Sequence, residues 1–425
     1  TITFSVAIIH FITARYKFTV DSVHDISPKW VDYFPPPSTL DCTAYLEGEQ
    51  EKIRQALVIQ KSYIYPFISD DKFVVLTKDC DRYKRLKGYF TNSSKEEKEF
   101  PIAFSILLYK EAEQAEKLLQ AIYRPQNLYC LHIDRNSPSP VHTAMAAIAK
   151  CFDNVFIVSK SEKVVYAGFS RLKADINCME DLVVKSTSWK YFLNLPSQAF
   201  PLKTNAELVK ILKIYNGSND IEGITGDRML ANRYRYKHIL VKASEGARLH
   251  LEKTEKLKER PPHNITIVKG SAYGVFSRAF VEFLLTDKFA VDLLKWCEDI
   301  YSPDEYFWAT LHHQGFYGTL RPPGGYSGEP DKKLWLAMYA SWSQPCHGRF
   351  VRGVCVFGLG DIARLTSRKE LFANKFYLQF HPFALHCMAD WIRNKSLSNV
   401  PSDLYYYRQL SFINAGKDSV KNILT

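Results

Sequence analysis

Residues 299–311 read DIYSPDEYFWATL and set two acids, Asp304 and Glu305, between Ser302-Pro303 and three aromatic residues. Rings that cover a carboxylate raise its pKa toward that of a general base, and rings also stack on the apolar faces of sugars. Successive residues of a helix project about 100° apart. Asp304 and Glu305 therefore do not converge on one reacting atom, and Glu305, which adjoins the rings, is the candidate base. A serine cap, a proline in the first turn and acids at the positive end of the dipole also make an ordinary helix start, which accounts for both acids without chemistry. Two cations stand beside distinctive segments: Arg352 ahead of VCVFGLGD, and Lys375 within LFANKFYLQF. A diphosphate leaving group needs positive charge where its own negative charge develops. Arg meets phosphate through two parallel hydrogen bonds and Lys acts as a point charge. Residues 132–134 read HID, which is no acidic triplet. A divalent metal thus has no evident ligands, and the two cations are its natural replacement.

Groups so far apart in sequence need a scaffold to bring them together. Residues 102–108 (IAFSILL) form a continuous apolar run suited to a buried strand. Residues 111–123 place Ala115, Leu118, Leu119 and Ile122 at helical spacing. The alternation continues with strands over 129–133, 155–158 and 191–195 and helices over 141–151 and 171–184. This pattern predicts an α/β fold with a mostly parallel central sheet flanked by helices. Ligands of such sheets lie beyond the carboxyl ends of the strands. Asp134 and Arg135 then stand where a nucleotide would lie, although Asp134 serves equally well as a turn or cap residue. No GxGxxG or GxxxxGK[ST] loop is present, which argues against dinucleotide binding and against a P-loop. Three segments are expected: residues 1–40 as the trimmed end of a signal anchor and a stem, 41–100 as an irregular collar, and 101–425 as the catalytic domain. The apolar run over residues 2–12 carries the anchor reading, and a buried strand or helix at a domain edge is its alternative.

With 46% hydrophobic and 24% charged residues among 425, the chain is globular; disorder, collagen and coiled coil are excluded. The formal charge of +11 comes from scattered basic residues with only short clusters such as that over 253–260. That scatter suits an anionic small substrate better than a nucleic-acid track, and a solvated basic surface explains most of it. Nine cysteines contain no CxxC pair and no zinc-site spacing. Four Asn-x-Ser/Thr sequons, at Asn92, Asn216, Asn264 and Asn394, fall in or beside turn-like polar stretches. Together these features favour a lumenal chain with up to four disulfides and one remaining thiol.

Over about residues 41–395 the chain resembles the β1,6-N-acetylglucosaminyltransferases that branch mucin-type O-glycans (core 2) and I-antigen chains, with peptide O-xylosyltransferases as distant members. The motifs FPIAFSILLYK, AIYRPQNLYCLHID, CFDNVFIVS, VVYAGFSRLKADINCMEDL, WKYFLNL with FPLKTN, GSAYGVFSR, YSPDEYFWATL, VRGVCVFGLGD and LFANKF occur in the family's order. The resemblance implies a GT-A-type fold, a Golgi enzyme anchored as a type II membrane protein, and metal-independent, inverting transfer of GlcNAc from UDP-GlcNAc, with no cofactor, to an O-glycan acceptor. It implies Glu305 as general base, Arg352 and Lys375 as the diphosphate pair, Leu107, Asp134 and Tyr166 around uridine and ribose, and Glu222 and Arg233 as acceptor contacts. It also implies the disulfides Cys42–Cys387, Cys80–Cys151, Cys130–Cys178 and Cys346–Cys355, with Cys297 free.

Three departures accompany the resemblance. Pro196, Ser197, Gln198 and Ala199 replace a family segment that carries Gly and Asp, Leu230 stands where a Lys would join the acceptor site, and the run containing Trp335, Tyr339 and Trp342 is shorter than its counterpart. All three are expected in the acceptor wall, with the donor machinery intact. The competing readings are a sugar- or nucleotide-binding relative without turnover, I-branching on poly-lactosamine, and a glycoside hydrolase. The last needs two carboxylates across the scissile bond and finds only Glu305.

Overall fold

The computed structural model describes residues 40–242, 244, 248–398 and 403–414. The anchor expected at residues 2–12 and the stem up to residue 39 lie outside the described residues, among which no helix is long and apolar enough to cross a membrane.

Strand β1 (Ile102–Leu108) is almost wholly buried, and the two-residue alternation of a strand divides it between two cores. Ile102, Phe104, Ile106 and Leu108 join one apolar cluster and Ala103 the other. β2 (Leu128–Ile133) and β3 (Val155–Ile157) extend the sheet on one side of β1, and β4 (Tyr191–Pro196) pairs on the other, all parallel. β5 (Ala199–Pro201) follows, then a protruding antiparallel hairpin of β6 (Tyr236–Lys242) and β7 (Leu249–Leu257). β8 (Val275–Ser277) returns antiparallel to β4 and closes a five-stranded sheet of order β3-β2-β1-β4-β8. The winding direction reverses between β1 and β4, so the crevice beyond their carboxyl ends is the place where such a sheet binds ligands. Helices Ala112–Ile122, Ser139–Ala149 and Asn205–Tyr215 pack on one face, and Phe169–Lys185, Arg278–Thr286 and Lys288–Trp296 on the other. The α/β expectation holds, with element ends shifted by up to two residues.

A third core joins the first helix, Cys42–Glu47, to the helix Pro382–Leu397 and to the smaller strands. Those strands are β9 (Met338–Tyr339), the hairpin of β10 (Arg349–Val351) and β11 (Val354–Val356), and β12 (Phe372–Asn374). β12 lies between β5 and β9, which places Lys375 directly beyond its end.

Residues 41–100, expected to be irregular, contain five helices: Cys42–Glu47, Gln50–Ser62, Asp70–Leu76, Cys80–Leu86 and Lys95–Lys98. Each buries one or two residues, too few to draw an apolar stripe in the sequence. Tertiary anchors hold them instead: Phe73 and Tyr83 enter the first core, and Lys87 meets Glu116 in a buried ion pair at 3.1 Å. The disulfides are Cys42–Cys387, Cys80–Cys151, Cys130–Cys178 and Cys346–Cys355, with Cys297 free and buried. The first ties the start of the described chain to a helix 345 residues later, and the third pins β2 to the helix behind it.

Candidate active site

One side of the crevice is built at the ends of β1 and β2. Leu107 pairs with His132 on one side and Pro196 on the other, and its carbonyl accepts from the Ser197 N–H at 2.9 Å. Asp134 follows β2, and its Oδ1 accepts from the backbone N–H groups of Asn136 (2.9 Å) and Val164 (3.1 Å) and from the Asn136 side chain (3.1 Å). No hydrogen bond reaches its Oδ2 among the described residues. His132 is engaged in the same loop, its Nε2 accepting from the Glu162 N–H at 2.9 Å. These contacts hold residues 162–168 over the crevice and leave Tyr166 63% exposed there.

Above Tyr166 lies Arg352. Val351 pairs with Val354, so Arg352 and Gly353 are the two central residues of a hairpin turn, and both have positive φ, 52° and 77°. Gly takes that conformation without strain, whereas Arg does not. The turn carries the guanidinium to 4.5 Å from the Tyr166 ring. Lys375 donates to the Val351 carbonyl at 2.9 Å, just below the same turn. Burial lowers the Lys375 pKa, and the neighbouring Arg352 charge lowers it further. Two cations so close together suit a ligand of more than one negative charge.

The acidic side is built on residues 302–305. The expected Ser302 cap is not made: Ser302 has φ 51°, its side chain accepts no capping bond, and the turn Pro303–Glu305 is a 3-10 helix ahead of the α-helix Phe307–His312. The Ser302 N–H instead donates to the Ala167 carbonyl at 2.7 Å, which fastens this turn to the Tyr166 loop. The tight turn sends the two acids apart. Asp304 goes inward to Arg171 (3.9 Å), and burial raises its pKa to about 6. Arg171 belongs to a buried network in which Asp175 accepts from Arg171 (2.7 Å), Ser105 (2.7 Å) and Asn194 (2.9 Å). Asp304 is thus structural support below the crevice.

Glu305 points outward. Its Oε2 is 2.8 Å from Arg233 and 3.1 Å from Lys269, and no partner reaches Oε1 among the described residues. The three rings expected to cover this carboxylate, Tyr306, Phe307 and Trp308, lie in the core, with the Tyr306 hydroxyl near the Arg233–Glu305 pair. All three rings are fully buried in the second core, and Tyr306 donates to the Met229 carbonyl at 2.7 Å. Glu222 joins the same group: burial raises its pKa, the Lys269 charge opposes this and the Glu305 charge adds to it.

The structure therefore gathers Glu222, Arg233 and Glu305 in one cluster, and Tyr166, Arg352 and Lys375 in another. Tyr301 lies near both. Arg233 lies 5.1 Å over its ring, and burial raises its hydroxyl pKa while the Arg233 and Arg352 charges oppose this. Neither Tyr301 nor Lys269 is signalled by any spacing in the sequence, although Tyr301 opens the motif YSPDEYFWATL and Lys269 adjoins GSAYGVFSR.

Among the departures, Pro196 pairs with Leu107, Ala199 pairs with Asn374, and the Gln198 carbonyl accepts from the Phe376 N–H at 2.9 Å, so residues 198–199 pack against the segment around Lys375. Leu230 is 45% exposed at φ 54°, and its carbonyl accepts from the Arg233 N–H at 2.9 Å. Tyr339 stacks inward on Phe357, while Trp342 stands 70% exposed beside Gly353. All four sequon asparagines are exposed. Asn394 lies in the last turn of the helix Pro382–Leu397 rather than in a loop.

The sequence profile of the Core-2/I-branching enzyme matches residues 102–366. The human beta-1,3-galactosyl-O-glycosyl-glycoprotein beta-1,6-N-acetylglucosaminyltransferase 3 is 38% identical over 383 residues, covering 85% of this chain and 85% of its own. An enzyme of bovine herpesvirus 4 (strain LVR140), with the same name lacking the final numeral, is 36% identical over 382 residues, covering 85% of this chain and 84% of its own. The Bos taurus protein bearing the human enzyme's full name is 36% identical over 384 residues, with 85% and 84% covered.

Proposed function

The chain belongs to the Core-2/I-branching enzyme family, and on that premise we propose that it transfers GlcNAc from UDP-GlcNAc in β1,6 linkage to a Gal- or GalNAc-containing O-glycan of a glycoprotein. The observation that carries the reading is a carboxylate with one open oxygen, Glu305, on a turn fastened at Ser302 to the Tyr166 loop, with Arg352 over the Tyr166 ring and Lys375 just below the Arg352 turn.

In this reading the acceptor's 6-hydroxyl oxygen attacks C1 of the donor sugar on the face opposite UDP. The bond from C1 to the β-phosphate oxygen breaks, its electron pair leaves with UDP, and the hydroxyl proton passes to Glu305. One displacement inverts the α-linked donor to a β product. Arg352 and Lys375 neutralise the departing diphosphate without a metal ion. Tyr166 and Asp134, whose Oδ2 is open, hold uracil and ribose beside Leu107, and Glu222 and Arg233 bind the acceptor sugar. Residues 101–425 are the catalytic domain and 41–100 a helical collar around it. Four disulfides and four exposed sequons suit the lumen of the Golgi, with the chain anchored there as a type II membrane protein.

The test is a screen of the purified chain with labelled UDP-GlcNAc against core 1, core 3 and poly-lactosamine acceptors, with linkage analysis of the product. Core 1 is expected to accept GlcNAc in β1,6 linkage, at lower efficiency than with an active branching enzyme because Leu230 brings no hydrogen bond. UDP binding without transfer to any acceptor would favour a relative that has lost turnover.

A further inference from the structure

Two cations hold the Glu305 carboxylate, and both hold the same oxygen. Arg233 comes from the short helix Asn232–Arg235, one residue before the protruding hairpin, and Lys269 from a different part of the chain. The Lys269 backbone is locked by a reciprocal exchange with Ile224, Lys269 N–H to Ile224 carbonyl at 3.1 Å and Ile224 N–H to Lys269 carbonyl at 2.7 Å. The next residue, Gly270, donates its N–H to the Glu305 carbonyl at 2.7 Å, and a Cβ at position 270 would come within 2.3 Å of the Glu222 carbonyl oxygen. Lys269 is therefore fixed by its backbone between two acids rather than reaching in from solvent, and its side chain is only 14% exposed. Glu222, Glu305, Arg233 and Lys269 together carry no net charge. Without Lys269, Glu305 would keep Arg233 alone, and its side chain would lose one of the two contacts that set its rotamer.

We propose that Lys269 is a positioning residue for the base: it holds Oε2 of Glu305 so that Oε1 faces the incoming acceptor hydroxyl. The inference rests on the transferase reading above. A group that acts only by orienting another affects turnover through that group, and double variants separate this from a general structural role.

The experiment compares wild type, Lys269→Met, Lys269→Arg, Glu305→Gln and the Lys269→Met/Glu305→Gln double variant in acceptor kinetics, with UDP titration to count folded sites. Lys269→Met is expected to lower kcat about tenfold to a hundredfold, the loss typical of one charge-assisted hydrogen bond. Its acceptor KM, UDP affinity and UDP stoichiometry should stay within about threefold, and Lys269→Arg should recover most of the rate. In the Glu305→Gln background, Lys269→Met should cost less than about threefold more. Lys269→Met turnover close to wild type, or an equal further loss in the Glu305→Gln background, overturns the proposal while leaving the transferase reading intact. A wild-type chain that binds UDP but transfers to no acceptor overturns both, and it is read before any variant is made.

Discussion

Glu305→Gln keeps the shape of the side chain and removes its charge and basicity. A Gln carbonyl oxygen can still accept from Arg233, so the local geometry has no reason to change. Glu305 and Arg233 are each about 30% exposed, with side-chain values of 29% and 30%. Pairs so wetted contribute at most about 1 kcal/mol, and the melting temperature should fall by no more than about 2 °C. Arg352 and Lys375, the proposed diphosphate pair, belong to the β10–β11 turn and the end of β12, and no ion pair joins either to Glu305 among the described residues, so UDP affinity should stay within about twofold. In the proposed reading, by contrast, the acceptor hydroxyl loses the base that takes its proton. General-base loss typically costs about 10²- to 10⁴-fold, or roughly 3 to 5 kcal/mol in the barrier at about 1.4 kcal/mol per decade. Steady-state transfer of labelled GlcNAc to a branching acceptor, run beside UDP calorimetry and a thermal melt, measures all three quantities. Turnover within tenfold of wild type would refute the assignment of the base. Loss of UDP binding in parallel with turnover would show that the acidic and cationic clusters are not separate in function.

Three further outcomes are expected. Transfer should persist in excess EDTA, because Arg352 and Lys375 take the diphosphate charge; a strict need for added manganese or magnesium would contradict that role. Arg352→Ala and Lys375→Ala should each weaken UDP binding about tenfold or more, the loss of one charge-assisted contact, without shifting acceptor KM, and unchanged UDP affinity in both would remove them from the donor site. Acid should destabilise the fold between pH 7 and 5: burial holds the His313 ring down to about 3 and the His381 ring to about 4. The unfolded chain takes up protons at both rings below about 6.5 while the folded chain does not, which costs roughly 2 kcal/mol per ring at pH 5. Asp304, held up to about 6, acts in the opposite sense: the folded state binds its proton first, adding about 1 kcal/mol of stability between pH 6 and 5. A urea midpoint that rises on going from pH 7 to 5 would contradict the net sign.

The central sheet was legible in the sequence because its signals are local. A run such as IAFSILL buries both faces of a strand whatever lies elsewhere, and Ala115, Leu118, Leu119 and Ile122 meet on one helix face through the 3.6-residue repeat. Glu305, Arg352 and Lys375 were legible as candidates because their segments are long and ordered like those of one enzyme family. The collar was not, since its short helices are held by single anchors such as Phe73 and Tyr83 that leave no period to read. Which way a side chain points was also beyond sequence: a 3-10 turn, not an α-helix, divides Asp304 from Glu305, and the rings beside Glu305 belong to the core. Ala199 stands beside the end of β12 because β5 pairs with β12, a contact between segments more than 170 residues apart, whereas Pro196 ends β4 beside Leu107. Lys269 is one of 56 basic residues with nothing to mark it. The exchange of backbone hydrogen bonds with Ile224 and the Gly270 N–H bond to the Glu305 carbonyl set it beside Glu305, and the charge around that carboxylate depends on these long-range contacts.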